Sequence, residues 1–577
     1  MIGFHRNRCF ASGGPPRRRQ QFSLSKFPST PGPALRFRLS QGAVAWIAGL
    51  WLIAADNPAF WRSLWMSRDV GDVRVLAAVG ALALLLWAAF SFICRLLCWP
   101  RTGKFAVAAL LLIGAAAAHF IGTYGIFIDK GMARNVVQTD WREATDLLSF
   151  RFALDVALRG ILPAAILVFL VEVRYAPWRR SLMQIGWHAL LLGVVGAASV
   201  FAFFGEYADI ARNHRELRHL LTPTNVANSA YGLWKESRAQ RQPVTRLAED
   251  ATRPAASASA KPLVVVLLVG ETARAASFSL GGYGRPTNAA LAGRDVVYFD
   301  SVTSCGTDTA TSLPCMFSDL GEKNFSVNKA NARENVLHVL QRTGVGVTWL
   351  ENNSGCKGVC DRIETEDLSA AGATGLCASG ECLDAIFVDA LRRRLPKSNS
   401  DSLLVLHMKG SHGPAYFRRA PSARPFAPIC ATAVIQSCTE ESLRNTYDNS
   451  IAYTSEVLAQ SIDLLAADNT RDTVLLYVSD HGESLGERGI YLHGLPKLIA
   501  PAEQTRIPLL LWMSAGARER LGVDTIKLRE RASRAASHDN LFPTLLGLFD
   551  VRARIYDQNA DLLGTVRDRS PELVGPR

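Results

Sequence analysis

No apolar run followed by a small-residue cleavage site occurs in the first 40 residues, so nothing there reads as a removable signal peptide. That stretch is rich in Arg, Pro, Ser and Gly and reads as a basic cytoplasmic tail. Cysteine is nearly missing from the first half: Cys9, Cys94 and Cys98 precede residue 300, and no chemistry is assigned to them. The eight later cysteines do not show the ligand spacing of a zinc finger or ribbon, which excludes that use. They fall instead into four close pairs, Cys305/Cys315, Cys356/Cys360, Cys377/Cys382 and Cys430/Cys438. Local disulfides are the simplest pairing, and disulfides imply an oxidising space outside the cytoplasm. Acidic residues are outnumbered, 51 against 64 Lys and Arg, giving a formal charge of +13. Much of that excess sits in the tail and beside apolar runs, where cations set membrane topology; nucleic acid is not expected as a partner.

What is abundant is apolar surface. Of the 577 residues, 49% are hydrophobic, and they concentrate before about residue 205. Five runs near 41–57, 73–93, 105–127, 154–172 and 183–204 are candidates for the roughly 20 residues that a bilayer-crossing helix needs, the first being cut short by Asp56-Asn57-Pro58. Arg95, Arg101 and Lys104 follow the second run, and Arg174, Arg179 and Arg180 follow the fourth. By the positive-inside rule both links and the tail are cytoplasmic, and an odd number of spans then puts the C-terminal part outside. The chain accordingly divides into a tail at 1–40, a membrane domain at 41–204, a connecting region at 205–261 and a periplasmic catalytic domain at 262–577. Arg212–His219 in the connecting region reads as part of an amphipathic surface helix, and an Ala/Ser/Pro linker follows it.

From Pro262 onward, strand-like runs at Leu263–Val269, Val345–Leu350, Leu403–His407, Thr473–Ser479 and Ile507–Met513 alternate with helical stretches, the pattern of a doubly wound α/β domain. Glu271 follows the first run and Asp480-His481 the fourth. Taken singly, Glu271 reads as a helix cap and Asp480 as a turn residue. Together they form an oxygen and nitrogen set that zinc accepts, at the sheet edge where open α/β folds place ligands. Thr309 lies between Cys305 and Cys315, and an alcohol beside a dication can ionise at neutral pH, which makes Thr309 the candidate nucleophile.

These motifs resemble the bacterial phosphoethanolamine transferases of the lipid A-modifying and mobile colistin-resistance type, within the alkaline phosphatase and sulfatase superfamily. The resemblance runs from about 41 to 555. It rests on Val269-Gly-Glu-Thr-Ala-Arg274, Cys305-Gly-Thr-Asp-Thr309, Pro314-Cys-Met-Phe-Ser318, Asn352-Asn-Ser-Gly-Cys-Lys-Gly-Val-Cys360, Met408-Lys-Gly-Ser-His-Gly-Pro414, Tyr447-Asp-Asn-Ser450, Ser479-Asp-His-Gly-Glu-Ser484, Tyr491-Leu-His-Gly494 and Ser537-His-Asp-Asn-Leu541. It implies a five-helix transmembrane domain joined to an α/β domain with a mostly parallel, doubly wound sheet. Carried over by position, it makes Thr309 the nucleophile and gives zinc one tight site of Glu271, Asp480, His481 and the Thr309 oxygen. His412 and His493 stand near the transferred phosphate or a second metal, and Ser354, Lys357 and His407 along the substrate path. It also implies that Asn135, Thr139 and Glu143, spaced i, i+4 and i+8 as on one helix face, contact the ethanolamine head of the donor. Two features depart from the family: the long basic tail and Asp308 beside the nucleophile. The Cys-x-Pro-x-Arg type motif of sulfatases is missing at Cys305, which disfavours sulfate-ester cleavage.

The implied reaction is a two-step transfer of phosphoethanolamine from phosphatidylethanolamine to lipid A through a covalent threonine intermediate, carried out by a monomer among inner-membrane lipids. Lower surface charge and polymyxin resistance would follow. The same transfer to a core sugar, a periplasmic glucan or a protein is an alternative, and a catalytically silent scaffold or sensor is another, against which the intact Glu271, Thr309, Asp480 and His481 set argues.

Overall fold

The computed structural model describes residues 36–66, 72–139, 141–239, 244–254, 260–369, 375–378, 381–422 and 424–567. Most of the tail expected at 1–40, and the last ten residues of the 262–577 region, therefore lie outside the described residues. Four helices are long and apolar enough to cross a membrane: Val73–Leu97, Gly103–Tyr124, Phe150–Leu170 and Trp178–Ala202. Gln41–Ala55 and Pro58–Met66 pass the same test as a pair bent by 55°, and counting them as one gives the fifth span. The bend falls at Asp56-Asn57-Pro58. Proline has no N–H to continue the ladder, and Asn57 turns its amide to the carbonyls of Leu52 and Thr222, both at 2.8 Å. Outward-facing Phe169, Trp187, Val194 and Phe201 give the bundle an apolar exterior suited to lipid.

The connecting region departs from its sequence reading. Helices Phe204–Asn213 and Thr224–Ala239 flank a 3-10 turn at Arg215–His219, so no single helix runs through 212–219. Backbone angles at His214 break the helix, and Leu217 and Leu220 bury themselves against Phe60, Leu64 and Ile121. Packing onto the bundle end overrides the local amphipathic pattern.

Beyond residue 260 a seven-stranded sheet has the order Val297–Tyr298, Leu509–Met513, Asp472–Ser479, Leu263–Gly270, Ser402–His407, Gly346–Glu351, Glu364–Asp367. The last five strands of that order pair in parallel, and Leu509–Met513 runs antiparallel to both neighbours. Both faces of the sheet are covered, which explains the continuous apolar run Leu263–Val269. Val265, Leu267 and Val269 join one core with Leu313, Phe317, Trp349 and Leu545. Val264, Val266 and Leu268 join the other with Tyr447, Ile451 and Leu458 of the long helix Glu440–Ala466. All four expected disulfides are present: Cys305–Cys315, Cys356–Cys360, Cys377–Cys382 and Cys430–Cys438.

Candidate active site

Four adjacent parallel strands end level with one another: His407 pairs with Val269 and Glu351, and Ser479 with Gly270. Because parallel strands lie about 4.8 Å apart, the residue just past each end meets its neighbours at one edge. Glu271, Asp480 and His481 therefore converge, each offering a ligand atom within 4.8 Å of the others. Thr309 reaches them from the start of helix Thr309–Met316, which Asp308 caps by accepting a hydrogen bond from Thr311 N. The Thr309 hydroxyl lies 3.1 and 3.2 Å from the two Glu271 oxygens and 3.4 Å from His481 Nε2. Asp308, the residue that departs from the family pattern, thus has a helix-capping role.

The cluster fits a cation. His481 Nδ1 is 2.9 Å from the Gly482 carbonyl; donating there leaves the Nε2 lone pair facing Glu271 and Asp480. Asp480 Oδ1 accepts from Thr272 N and His481 N, whereas the buried Oδ2 accepts no hydrogen bond. Burial and the neighbouring Glu271 charge push the Asp480 carboxyl up to about 6. Burial opposes charge on His481 too, but Asp480 and then Glu271 overcome it and push the imidazole up to about 10. Burial also works against the Glu271 carboxylate, which His481 nonetheless holds well below its ordinary range. Excess negative charge among these donors is what a bound dication would offset.

Supporting residues surround the ligands. Asn353 donates to Glu271 Oε2 at 2.7 Å, and Thr272, in the left-handed region at φ 59°, donates to Glu271 Oε1 at 2.6 Å. Gly410, at φ 53°, lies so close to Glu271 that an added Cβ would fall 2.6 Å from its carbonyl oxygen. Asp384 fixes that loop by accepting from the backbone of Lys409 and Gly410. His493 Nδ1 is 2.7 Å from the buried Glu483, which also accepts from the Tyr416 hydroxyl. His538 lies beneath: its Nδ1 accepts from Cys305 N and its Nε2 is 2.9 Å from the Ser479 carbonyl. Asn353, Glu483 and His538 all lie inside motifs conspicuous in the sequence, but nothing local in those motifs says which hydrogen bond each will make.

A cleft of about 150 Å³ opens on Thr309 and is walled by both domains. Ser354, Lys357, His412 and His493 line it from one side; Asn135 and Thr139 line it from the membrane side, with Tyr124 and Met132. The ring centroids of His493 lie 4.4 Å from His481 and 5.7 Å from His412. Lys357 Nζ donates to Ser354 O and Oγ within a loop closed by Cys356–Cys360. His407 stands elsewhere. Its ring is fully buried behind Glu271, 3.0 Å from both Glu351 oxygens and within 3.3 Å of Asn353. The expected single helix face for Asn135, Thr139 and Glu143 is also not formed. Helix Lys130–Gln138 stops at Thr139, whose ψ is 131° and whose hydroxyl bonds back to Asn135 O at 2.6 Å. Glu143 belongs to the next helix, Trp141–Leu147, and its side chain lies outside the described residues.

Comparison with known proteins places this architecture. Residues 86–238 match the family model described as phosphoethanolamine transferase EptA/EptB, and residues 264–551 match the sulfatase model. Phosphoethanolamine transferase EptA of Salmonella typhimurium is 37% identical over 91% of this chain and 97% of its own length. The chain belongs to the EptA/EptB phosphoethanolamine transferase family. Phosphatidylethanolamine transferase Mcr-1 of Escherichia coli is likewise 37% identical, over 89% of this chain and 95% of that protein. The solved structure of the integral membrane lipooligosaccharide phosphoethanolamine transferase A from Neisseria meningitidis superposes with a TM-score of 0.89 at 34% identity, covering 92% of this chain and all of that one. In this chain the apolar helices form the membrane part, and the sulfatase-like domain carries Thr309 and the Glu271, Asp480 and His481 cluster.

Proposed function

We propose that this protein transfers phosphoethanolamine from phosphatidylethanolamine to lipid A through a covalent intermediate on Thr309. The observation that carries the reading is the joint construction of the cleft: an alcohol backed by three buried ligand-type residues opens on a space walled by membrane helices, where a lipid substrate can reach it. Glu271, Asp480, His481 and the Thr309 oxygen would hold a dication, zinc by the oxygen and nitrogen character of the set, and it would supply the Lewis acidity that lets an alcohol ionise near neutral pH. Thr309 Oγ bonds to phosphorus as the bond to the diacylglycerol oxygen breaks. The start of helix Thr309–Met316 favours negative charge on the Thr309 oxygen. Lys357 offsets charge on the phosphoryl oxygens. His493, whose Nδ1 is committed to Glu483, uses Nε2 to give a proton to the departing oxygen; in the second half it takes one from the acceptor hydroxyl as that oxygen bonds to phosphorus and the bond to Thr309 Oγ breaks.

Thr139 already spends its hydroxyl hydrogen on Asn135 O, so its oxygen is left as an acceptor, the polarity an ethanolamine ammonium needs. Glu143 adds the opposite charge. His407 acts from behind by orienting Asn353 against Glu271. The described lining of the cleft comes from one chain, which suits a monomer, and the cationic links after the second and fourth spans support a cytoplasmic tail and a periplasmic catalytic domain.

Mass spectrometry of lipid A from cells expressing the wild type or Thr309→Ala tests the reading. We expect a phosphoethanolamine increment from the wild type alone; the same increment from both would exclude Thr309. Metal analysis of the purified full chain should find about one zinc per chain, lost in Asp480→Asn.

A further inference from the structure

A second cavity, larger than the catalytic cleft, lies away from it. About 580 Å³ in size, it lies at the end of the bundle from which helix Gln41–Ala55 starts, helix Val73–Leu97 finishes and helix Trp178–Ala202 starts. Helix Gly103–Tyr124 begins near that end and reaches the cleft with its last turn, so its 22 residues, about 33 Å at 1.5 Å per residue, separate the two sites.

The chemistry of this cavity is one-sided. Arg95, Arg174 and Arg180 line it, and no carboxylate does among the described residues. The nearest acid along the chain, Glu172, accepts instead from Arg38 at 3.0 Å. Arg95 is 2% exposed, and one terminal nitrogen donates to Ser181 Oγ at 2.7 Å. The other, Nη1, is buried with no hydrogen-bond partner among the described residues. A buried guanidinium with unmet donors and no counter-charge is costly unless an anion completes it. Trp46 and Trp187 form an apolar wall of the kind that sits at headgroup depth.

We propose that this cavity binds the phosphate of an acidic phospholipid headgroup from the leaflet opposite the catalytic domain. Arg174 and Arg180, whose side chains are exposed, meet the phosphodiester anion at the mouth, and buried Arg95 adds its charge from the wall behind them. The acyl chains follow the lipid-facing surface of Trp178–Ala202, where Leu190, Leu191 and Val194 are exposed. A zwitterionic headgroup is a poorer fit, since its ammonium would meet the same three cations. The site is therefore distinct from the donor's.

The test uses the full chain purified in a neutral detergent, with thermal unfolding followed as phosphatidylglycerol, phosphatidylethanolamine or inorganic phosphate is titrated in. We expect phosphatidylglycerol alone to raise the Tm saturably. Losing two surface guanidiniums in R174Q/R180Q should weaken its apparent affinity about thirtyfold. These two side chains are exposed, so the double variant should fold even if Arg95→Gln does not. An undiminished response in R174Q/R180Q overturns the site. An equal response to phosphatidylethanolamine overturns the charge selectivity, and an equal response to inorganic phosphate overturns the lipid as its source.

Discussion

Glu483 shows how one buried carboxylate can govern a site it never touches. It holds His493 Nδ1 at 2.7 Å and takes the Tyr416 hydroxyl, so it sets which imidazole nitrogen is left free at the cleft that His493 lines. Glu483→Gln should lower kcat by about tenfold to a hundredfold, as removal of an orienting partner does, with zinc content retained and the pH profile of kcat displaced. A uniform loss of folded protein, with the profile of the remaining activity unmoved, would reduce Glu483 to a packing role. His538 makes a different prediction. It accepts from Cys305 N and donates to Ser479 O, so only its neutral form fits, and burial pulls its pKa down to about 4 from the ordinary 6.5. The unfolded state then binds a proton that the folded state refuses between those values. Stability is full above about pH 6.5 and falls as pH drops toward 4, by about 3 kcal/mol in all. Urea unfolding of the wild type and His538→Gln across that window should show the steeper slope in the wild type.

At the level of elements, the site depends on strand ends and on the loops pinned over them. The Cys305–Cys315 bridge closes a ten-residue step around Thr309. By loop-closure entropy it contributes up to about 3 kcal/mol, so Cys305→Ser/Cys315→Ser should lower the unfolding free energy by no more than that. Transfer rate should fall further than stability does, because the bridge also fixes the helix start that presents the hydroxyl; equal proportional losses would show the bridge to be a staple only. Gly410→Ala tests the opposite loop. Its Cβ would strike the Glu271 backbone, which should reduce zinc affinity while leaving the sheet folded by circular dichroism.

Across the whole molecule, the cleft exists only while the two domains stay docked. Arg418 of the catalytic domain meets Asp146 of the membrane side at 2.8 Å, Gln436 donates to Thr123 O at 3.1 Å, and Gly494 packs close to Met132 and Asn135. Arg418→Asp places two acids together and should raise KM for the lipid donor several-fold with zinc content unchanged. The exchange Arg418→Asp/Asp146→Arg should recover much of the loss, and no recovery would remove this pair from docking.

How much of this was legible in the chain itself follows from which interactions are local. Long apolar runs with flanking arginines declare membrane spans because the bilayer demands about 20 uninterrupted residues, and a strand buried on both faces must be apolar throughout; both kinds of segment were therefore visible one residue at a time. The cluster Glu271, Asp480 and His481 was visible for a related reason, since each residue follows its strand by a residue or two. The turn at Arg215–His219 and the burial of His407 were not, because each is decided by a partner distant in sequence: Phe60 and Ile121 in the first case, Glu351 in the second. Tertiary structure alone decided that Asn353 would brace Glu271, that Glu483 would orient His493, and that Arg95 would be buried at the far end of the bundle in a cavity with no carboxylate among its described lining residues. Composition can supply such groups, but only the closing of the chain on itself sets which donor meets which acceptor.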